Sequence, residues 1–336
     1  MRVKATSKGF VLAIGILLVS PCGPAGAEEI DNGILSIGVS GSRGGAIDSL
    51  RVLGQETVNT ADLGRLIQAV HFFPFAELPP QPAVCNGPKP PWAAAQEAGD
   101  QCAGASEVVA LRLGDRRRLT VDVRPKDWAT GETIQGLRFE TQITLGPLPY
   151  LSKQEIAELR YRVTWDGLPG GKKPPKTLHA VGAENGATPV PFIPAAYFNS
   201  GTLPRLYGLS LDGAKWQEVT PVVSKDGAYA PANYRFRIMA WMRPDLGWGV
   251  GFYSRHTLDQ GCHGVTFPMA LPGQAGQCPN FATQSFPNHG TNNVSVVDQT
   301  GTTAEVGHSM ELVSYILVGN LGTIQQNVNA VFDAGH

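Results

Sequence analysis

The feature that most limits the fold of this chain is a short alternation of apolar and polar residues, repeated many times and broken by glycine or proline. It is plainest at residues 160–165, where Tyr161, Val163 and Trp165 face one way and Arg160, Arg162 and Thr164 the other. That period of two marks a strand with one buried face. Similar runs predict strands at 34–39, 46–52, 108–113, 137–145, 156–165, 235–242, 248–254, 293–297 and 310–318. Turn signals fall between them at Gly44-Gly45, Asp166-Gly167, Gly170-Gly171, Asp212-Gly213 and Asp226-Gly227. With 40 Gly and 26 Pro among 336 residues, helices cannot be the main scaffold, and 42% apolar residues exclude a disordered chain. The expectation is all-β, an antiparallel sandwich in one domain. One helix is expected, Ile324 to Phe332 capped by Thr323, with Ile324, Val328, Val331 and Phe332 packed on a sheet edge.

The first residues read as an address. Arg2, Lys4 and Lys8 precede an apolar run over 10–19, and Ala25-Gly26-Ala27 offers the small residues of a cleavage site. A signal peptide over 1–27 and a mature domain over 28–336 follow, secreted or periplasmic. A lipoprotein reading through Cys22 is weaker, because Pro21 sits where a small residue is wanted. Cleavage removes three cations and no acids, which takes the formal charge from −1 to 24 − 28 = −4. No cation run exceeds Arg116-Arg117-Arg118, so no nucleic-acid partner is expected, and no later apolar stretch nears the ~20 residues of a membrane span.

Export changes the meaning of Cys85, Cys102, Cys262 and Cys278, the four cysteines that outlast the leader. Three pairings are open. Cys85 with Cys102 and Cys262 with Cys278 are preferred, since each closes a Pro/Gly-rich stretch without apolar periodicity. A zinc site beside His263 competes, but no Cys-x-x-Cys or paired-histidine spacing supports it. No metal and no cofactor are expected, for phosphate-cradling glycine motifs and the Gly-x-Ser-x-Gly elbow are also missing. Residues 75–101, Pro- and Ala-rich, read as a long strandless excursion.

Chemistry concentrates between Asn59 and His71. Asn59, Asp62, Arg65, Gln68 and His71 lie there among apolar anchors. Sugar hydroxyls are met by such mixed donors and acceptors. An Asp62–Arg65 ion pair closing a loop between strands is the plain structural alternative.

The Gly44-Gly45-x-Ile47 start, the Asn59-x-x-Asp62-x-Gly64-Arg65-x-x-Gln68 core, residues Phe192 to Tyr197, the Trp248-Gly249-Val250-Gly251 strand and the closing Tyr315 to Gly319 resemble secreted bacterial proteins with a galactose mutarotase-like β-supersandwich. That superfamily includes sugar epimerases, glycoside hydrolase domains and polysaccharide lyases. The resemblance implies a fold and a glycan partner rather than one reaction. Ala69 to Phe73 stand where the group carries a tyrosine-rich stretch, and no mutarotase acid–base pair aligns.

Glycoside hydrolysis is the expected reaction. It needs two carboxylates flanking the scissile bond, roughly 5–9 Å apart, and Asp62 and Glu184 are the candidates, although Glu184 in its Gly-flanked loop also reads as solvated. Asn59, Arg65, Gln68, His71 and Tyr197 would bind substrate. A lyase could use Arg65 and Asn59 on a uronate and His71 or Tyr197 as base, and a non-catalytic carbohydrate-binding or envelope protein would use the same residues only to hold its ligand. His256 and His263, near the second cysteine pair, read as inert loop histidines. Among tryptophans, Trp241 and Trp248 fit strands and a core, while Trp92 and Trp216 are the candidate stacking platforms.

Overall fold

The computed structural model describes residues 26–60, 66–74, 92–98, 104–127, 131, 133–166, 191–223, 232–255, 281–297 and 309–336. The strands form three sheets, almost wholly antiparallel. A nine-stranded sheet runs, edge to edge, Trp216–Val219, Arg205–Leu209, Ile238–Met242, Gly249–Tyr253, Ser309–Gly319, Ile156–Trp165, Leu137–Leu145, Arg118–Arg124 and Glu107–Asp115. An eight-stranded sheet runs Val222–Val223, Phe281–Phe286, Thr291–Val297, Pro191–Asn199, Gln68–Pro74, Trp92–Gln96 and Lys126–Asp127, with Ala232–Tyr234 also paired to Phe281–Phe286. A four-stranded sheet runs in chain order from Ala27–Asp31 to Gln55–Glu56.

The alternation seen in the sequence is the device that packs these sheets. Leu137, Phe139, Ile143 and Leu145 are buried while Arg138 is exposed, and in the partner strand Tyr161 and Val163 point inward opposite Thr141 and Phe139. They meet Ala69, Ala196, Phe198, Phe281 and Val294 of the eight-stranded sheet in one core, joined by Ile37 and Leu50 of the small sheet. Trp241 is fully buried in this core and Trp248 nearly so, as expected.

The outer face of the nine-stranded sheet is divided in two. One half is an exposed ladder of charge: Arg160 pairs with Glu311 at 3.0 Å, Arg162 with Glu311 at 3.2 Å and Arg162 with Glu140 at 3.6 Å. The other half, with Tyr207, Ile238, Tyr253, Tyr315 and Leu317, is covered by the helix Leu321–Asp333. Ile324, Val328 and Val331, spaced to share one side, are its buried residues along with Asn327. Two details differ from expectation. The cap is Asn320, whose Oδ1 accepts from the Thr323 N–H at 2.9 Å, so Thr323 lies inside the helix. The helix lies on a sheet face rather than an edge, because Tyr253, Tyr315 and Leu317 give it an apolar bed there.

Several strands stand outside the expected set. Trp92–Gln96 crosses the stretch read as strandless, since its alanines fit a sheet without advertising it. Pro191–Asn199 continues through Pro194, and its register shifts between Phe192 and Ala195, which is where a sheet tolerates a residue with no N–H to donate. Phe281–Phe286 carries Thr283, Gln284 and Ser285 in its middle and so lacks the apolar beat. The expected strand from Arg235 begins only at Ile238. The cysteine pairs and the leader through Ala25 lie outside the described residues.

Candidate functional site

The core uses one face of the eight-stranded sheet, and register fixes what stands on the other. Ala196, Phe198, Val294 and Val296 point into the core. Their neighbours Ala195 and Tyr197 therefore project away, as do residues opposite them, because cross-strand partners share a face. Gln68 lies opposite Ala195, Tyr197 opposite Asn293 and Asn293 opposite Gln284. Two residues singled out in sequence, Gln68 and Tyr197, thus come together with Asn293 and Gln284, which sequence reasoning missed. All four are buried, Tyr197 the most accessible at 9%.

Asn59 joins the same face. Val58 bridges Phe198, and the Asn59 N–H donates to the Tyr197 carbonyl at 3.3 Å. Its side-chain amide donates to Thr291 Oγ1 at 2.5 Å and to the Gly290 carbonyl at 3.2 Å. The Asn293 amide donates to the Ala196 carbonyl at 3.0 Å, and behind the row Trp241 Nε1 donates to the Asn293 carbonyl at 3.2 Å. The Tyr197 ring leans on Phe286, with centroids 6.4 Å apart. These bonds orient the amides, so the face is a fixed array of neutral polar groups and aromatic edges.

Where the Gln68–Pro74 and Trp92–Gln96 strands stop pairing at Val70 and Gln96, side chains take over from the ladder. Gln68 Oε1 accepts from the Ala98 N–H at 2.8 Å, and Glu97 Oε2 accepts from the Ala69 N–H at 2.9 Å. Glu97 Oε1 also accepts from Thr141 Oγ1 of the nine-stranded sheet at 3.2 Å. Glu97 lies inside the sandwich, 2% exposed, and burial pushes its carboxyl up to about 8 despite the two hydrogen bonds. Tyr161, equally deep, is pushed up by burial and by the Glu97 charge. Gly44 completes this joint: a Cβ there would stand 1.8 Å from the Glu97 carbonyl oxygen, and one on Gly45 would meet Val121 at 2.7 Å. The Gly44-Gly45 pair is accordingly a packing device. Glu97 escaped sequence reasoning because a lone Glu in the run Ala93-Ala94-Ala95-Gln96-Glu97-Ala98 carries no spacing signal.

His71 and Trp92 are described through their backbones, His71 opposite Ala95 and Pro191, Trp92 opposite Pro74. Asp62, Arg65, Glu184, His256 and His263 lie outside the described residues, so the Asp62–Glu184 separation does too. Trp216 stands in a strand rather than the loop expected for it. It lies in an edge strand of the nine-stranded sheet opposite Leu209, packs beside the cluster under the helix, and keeps Nε1 buried without a partner among the described residues. It is not on the face that carries Tyr197. Among the described residues no cluster of His, Cys, Asp or Glu could hold a metal, and no helix is long and apolar enough to cross a membrane.

No protein-family model matches the chain, and no curated protein matches it. Its structural neighbours are galactose mutarotase-like and related proteins at low identity. A galactose mutarotase-like protein from Lactobacillus casei ATCC 334 is similar over 87% of this chain and 100% of its own, at 13% identity and a TM-score of 0.46. A galactose mutarotase related enzyme from Lactobacillus acidophilus covers 88% of this chain with 97% of its own, at 11% identity and a TM-score of 0.42. The 4-alpha-glucanotransferase from Thermococcus litoralis is similar through 37% of its length to 87% of this chain, at 11% identity and a TM-score of 0.39.

Proposed function

We propose that this is an exported carbohydrate-active protein whose ligand lies over the outer face of the eight-stranded sheet, with glycoside hydrolysis as its reaction. The observation that carries the reading is the contrast between the two outer sheet faces. A face meant for water looks like the nine-stranded sheet, with arginines and glutamates half exposed. The other holds Asn59, Gln68, Tyr197, Gln284 and Asn293, neutral and buried. Burying an amide costs roughly 1–3 kcal/mol unless its hydrogen bonds are met. Asn59, Gln68 and Asn293 hold neighbouring backbone with part of their hydrogen-bonding capacity, and a sugar's hydroxyls and ring face are also matched by amides, a phenol and aromatic edges. In this reading the Asn59 to His71 segment borders the cleft, Arg65 and His71 contact the sugar, and Asp62 and Glu184 are the paired carboxylates. Export rests on the leader-like residues 1–27.

The test is a panel of neutral and uronate-containing polysaccharides offered to the mature protein, with new reducing ends, near-ultraviolet absorbance and calorimetric binding read together. Hydrolysis predicts reducing ends without absorbance, and loss of about 10²-fold or more in turnover for Asp62→Asn or Glu184→Gln with binding retained. Absorbing products would replace hydrolysis by lyase chemistry. Binding without turnover would leave a carbohydrate-binding module. Neither binding nor turnover on any member would sink the reading.

A further inference from the structure

The longest run of cations in the chain, Arg116-Arg117-Arg118, has no part in the face described above. It makes the turn between Glu107–Asp115 and Arg118–Arg124, the last two strands of the nine-stranded sheet. Elsewhere on that sheet most arginines are matched, Arg124 to Glu107 at 3.1 Å, Arg205 to Glu218 at 2.9 Å, Arg160 and Arg162 to Glu311, Arg138 to Asp122, with Arg112 the exception among the described residues. Among the described residues, no carboxylate lies within ion-pair distance of any of the three guanidinium groups in the turn.

Arg117 and Arg118 line a cavity of about 290 Å³ with Asp115, Thr144, Pro147 and Leu148. Its walls are held by a bond within the turn and backbone bonds to two neighbouring segments. The Arg117 N–H donates to Asp115 Oδ1 at 2.8 Å, the Arg117 carbonyl accepts from Leu145 at 2.8 Å, and the Arg116 carbonyl accepts from Asp31 at 2.9 Å. Across the cavity, the Asn32 amide donates to the Gly146 carbonyl at 3.0 Å, and Leu148 and Leu151 exchange backbone bonds at 2.9 and 3.1 Å.

We propose that this cavity is an oxyanion site that takes a carboxylate, sulfate or phosphate group carried on a small carbon skeleton. Two guanidinium groups fixed on pinned backbone offer the fork of donors such a group matches, and Thr144 adds a hydroxyl. Asp115 shares the cavity, but its Oδ1 is already occupied by the Arg117 N–H. Two cations against one anion leave room for a compact anionic group rather than a dense polyanion. Pro147 and Leu148 supply the apolar wall for its carbon frame. The site is on the other sheet from the glycan face, so it stands or falls independently of the function proposed above.

The test is titration of the mature chain with sodium sulfate, sodium phosphate and sodium glucuronate, each against sodium chloride at matched ionic strength. The readouts are calorimetry and the thermal midpoint. At least one anion should bind saturably and raise the midpoint. The double variant Arg117→Ala/Arg118→Ala should bind about tenfold or more weakly, while Arg116→Ala, which removes a neighbouring charge outside the cavity, should stay within about twofold. Tighter binding of glucuronate than of the inorganic ions supports a group carried on a carbon frame, and tighter binding of a bare inorganic ion overturns that part of the proposal. No saturable binding in any arm overturns the proposal, and so does an Arg116→Ala loss as large as that of the double variant, which would mean diffuse charge attraction. A circular dichroism spectrum confirms that the variants fold, as expected where backbone bonds pin the turn.

Discussion

Glu97→Gln should remove a pH dependence that the native chain carries in its core. The Glu97 carboxyl is buried and raised from the ordinary 4.5 to about 8, so the folded chain prefers it protonated while the unfolded chain ionises it from about pH 4.5 upward. A raised acid contributes its full stability below the unfolded value and loses it as pH rises to the folded one. At about 1.4 kcal/mol for each pH unit, the whole loss is on the order of 5 kcal/mol, spread from roughly pH 4.5 to 8. Roughly half of it falls between pH 5 and 7, which lowers the thermal midpoint by several degrees for a chain of this size. Glutamine has nearly the same shape as the neutral acid. Its oxygen can accept from the Ala69 N–H and its NH2 can donate to Thr141 Oγ1, the two partners Glu97 has now. Other groups also titrate, so the quantity to measure is the difference in unfolding free energy between native chain and Glu97→Gln, from urea curves at pH 5, 6, 7 and 8. The variant should gain on the native chain steadily as pH rises. A difference that stays constant from pH 5 to 8 would refute the argument, because it would mean that Glu97 ionises alike in both states.

Two further substitutions probe the frame. Gly44→Ala should cost about 3 kcal/mol or more, since Gly44 has φ +66° and its Cβ would meet the Glu97 carbonyl oxygen at 1.8 Å. The urea midpoint measures it, and a loss below about 1 kcal/mol would show that the Glu97 segment can move aside. Asn320→Ala should cost about 1 kcal/mol by removing the side-chain acceptor of the Thr323 N–H. Here Asn320→Asp should restore most of the stability, and a variant no weaker than the native chain would mean that the Tyr315 and Tyr253 contacts alone hold the helix.

What could be read from the sequence was set by how each strand is buried. Where one face meets the core and the other meets water, as in Leu137–Leu145 and Ile156–Trp165, the alternation is explicit and the expected bounds coincide with the observed ones. The strands that form the candidate site are buried on both faces, one against the core and one in the polar row. Gln68, Asn293 and Gln284 therefore occupy positions where a half-buried strand would show charge, and Pro191–Asn199 and Phe281–Phe286 look like loops in sequence. Arg118–Arg124 also stood outside the expected set although Leu119, Val121 and Val123 alternate plainly in it. Cations flank that alternation at both ends, Arg116 to Arg118 before it and Arg124 at its close, so the apolar beat spans only five residues.

The same physics explains why the Asn59 to Gln68 segment was conspicuous while the meaning of its residues was not. A sequence reports which side chains can donate and accept, but register decides with whom. Asn59 ties the segment to Thr291 and Gly290 at one end, and Gln68 ties it to Ala98 at the other. Both residues are thereby committed to fastening the segment's two ends to the eight-stranded sheet, Gln68 where the ladder between Gln68–Pro74 and Trp92–Gln96 has ended. Glu97 reinforces that point from inside the core through Ala69, the residue next to Gln68. Ionising Glu97 would therefore load the joint on which the polar face depends. If the glycan lies over Tyr197 and Asn293, its affinity should decline only as pH rises through about 8, where the folded chain itself ionises Glu97, and Glu97→Gln should abolish that decline along with the pH dependence of stability.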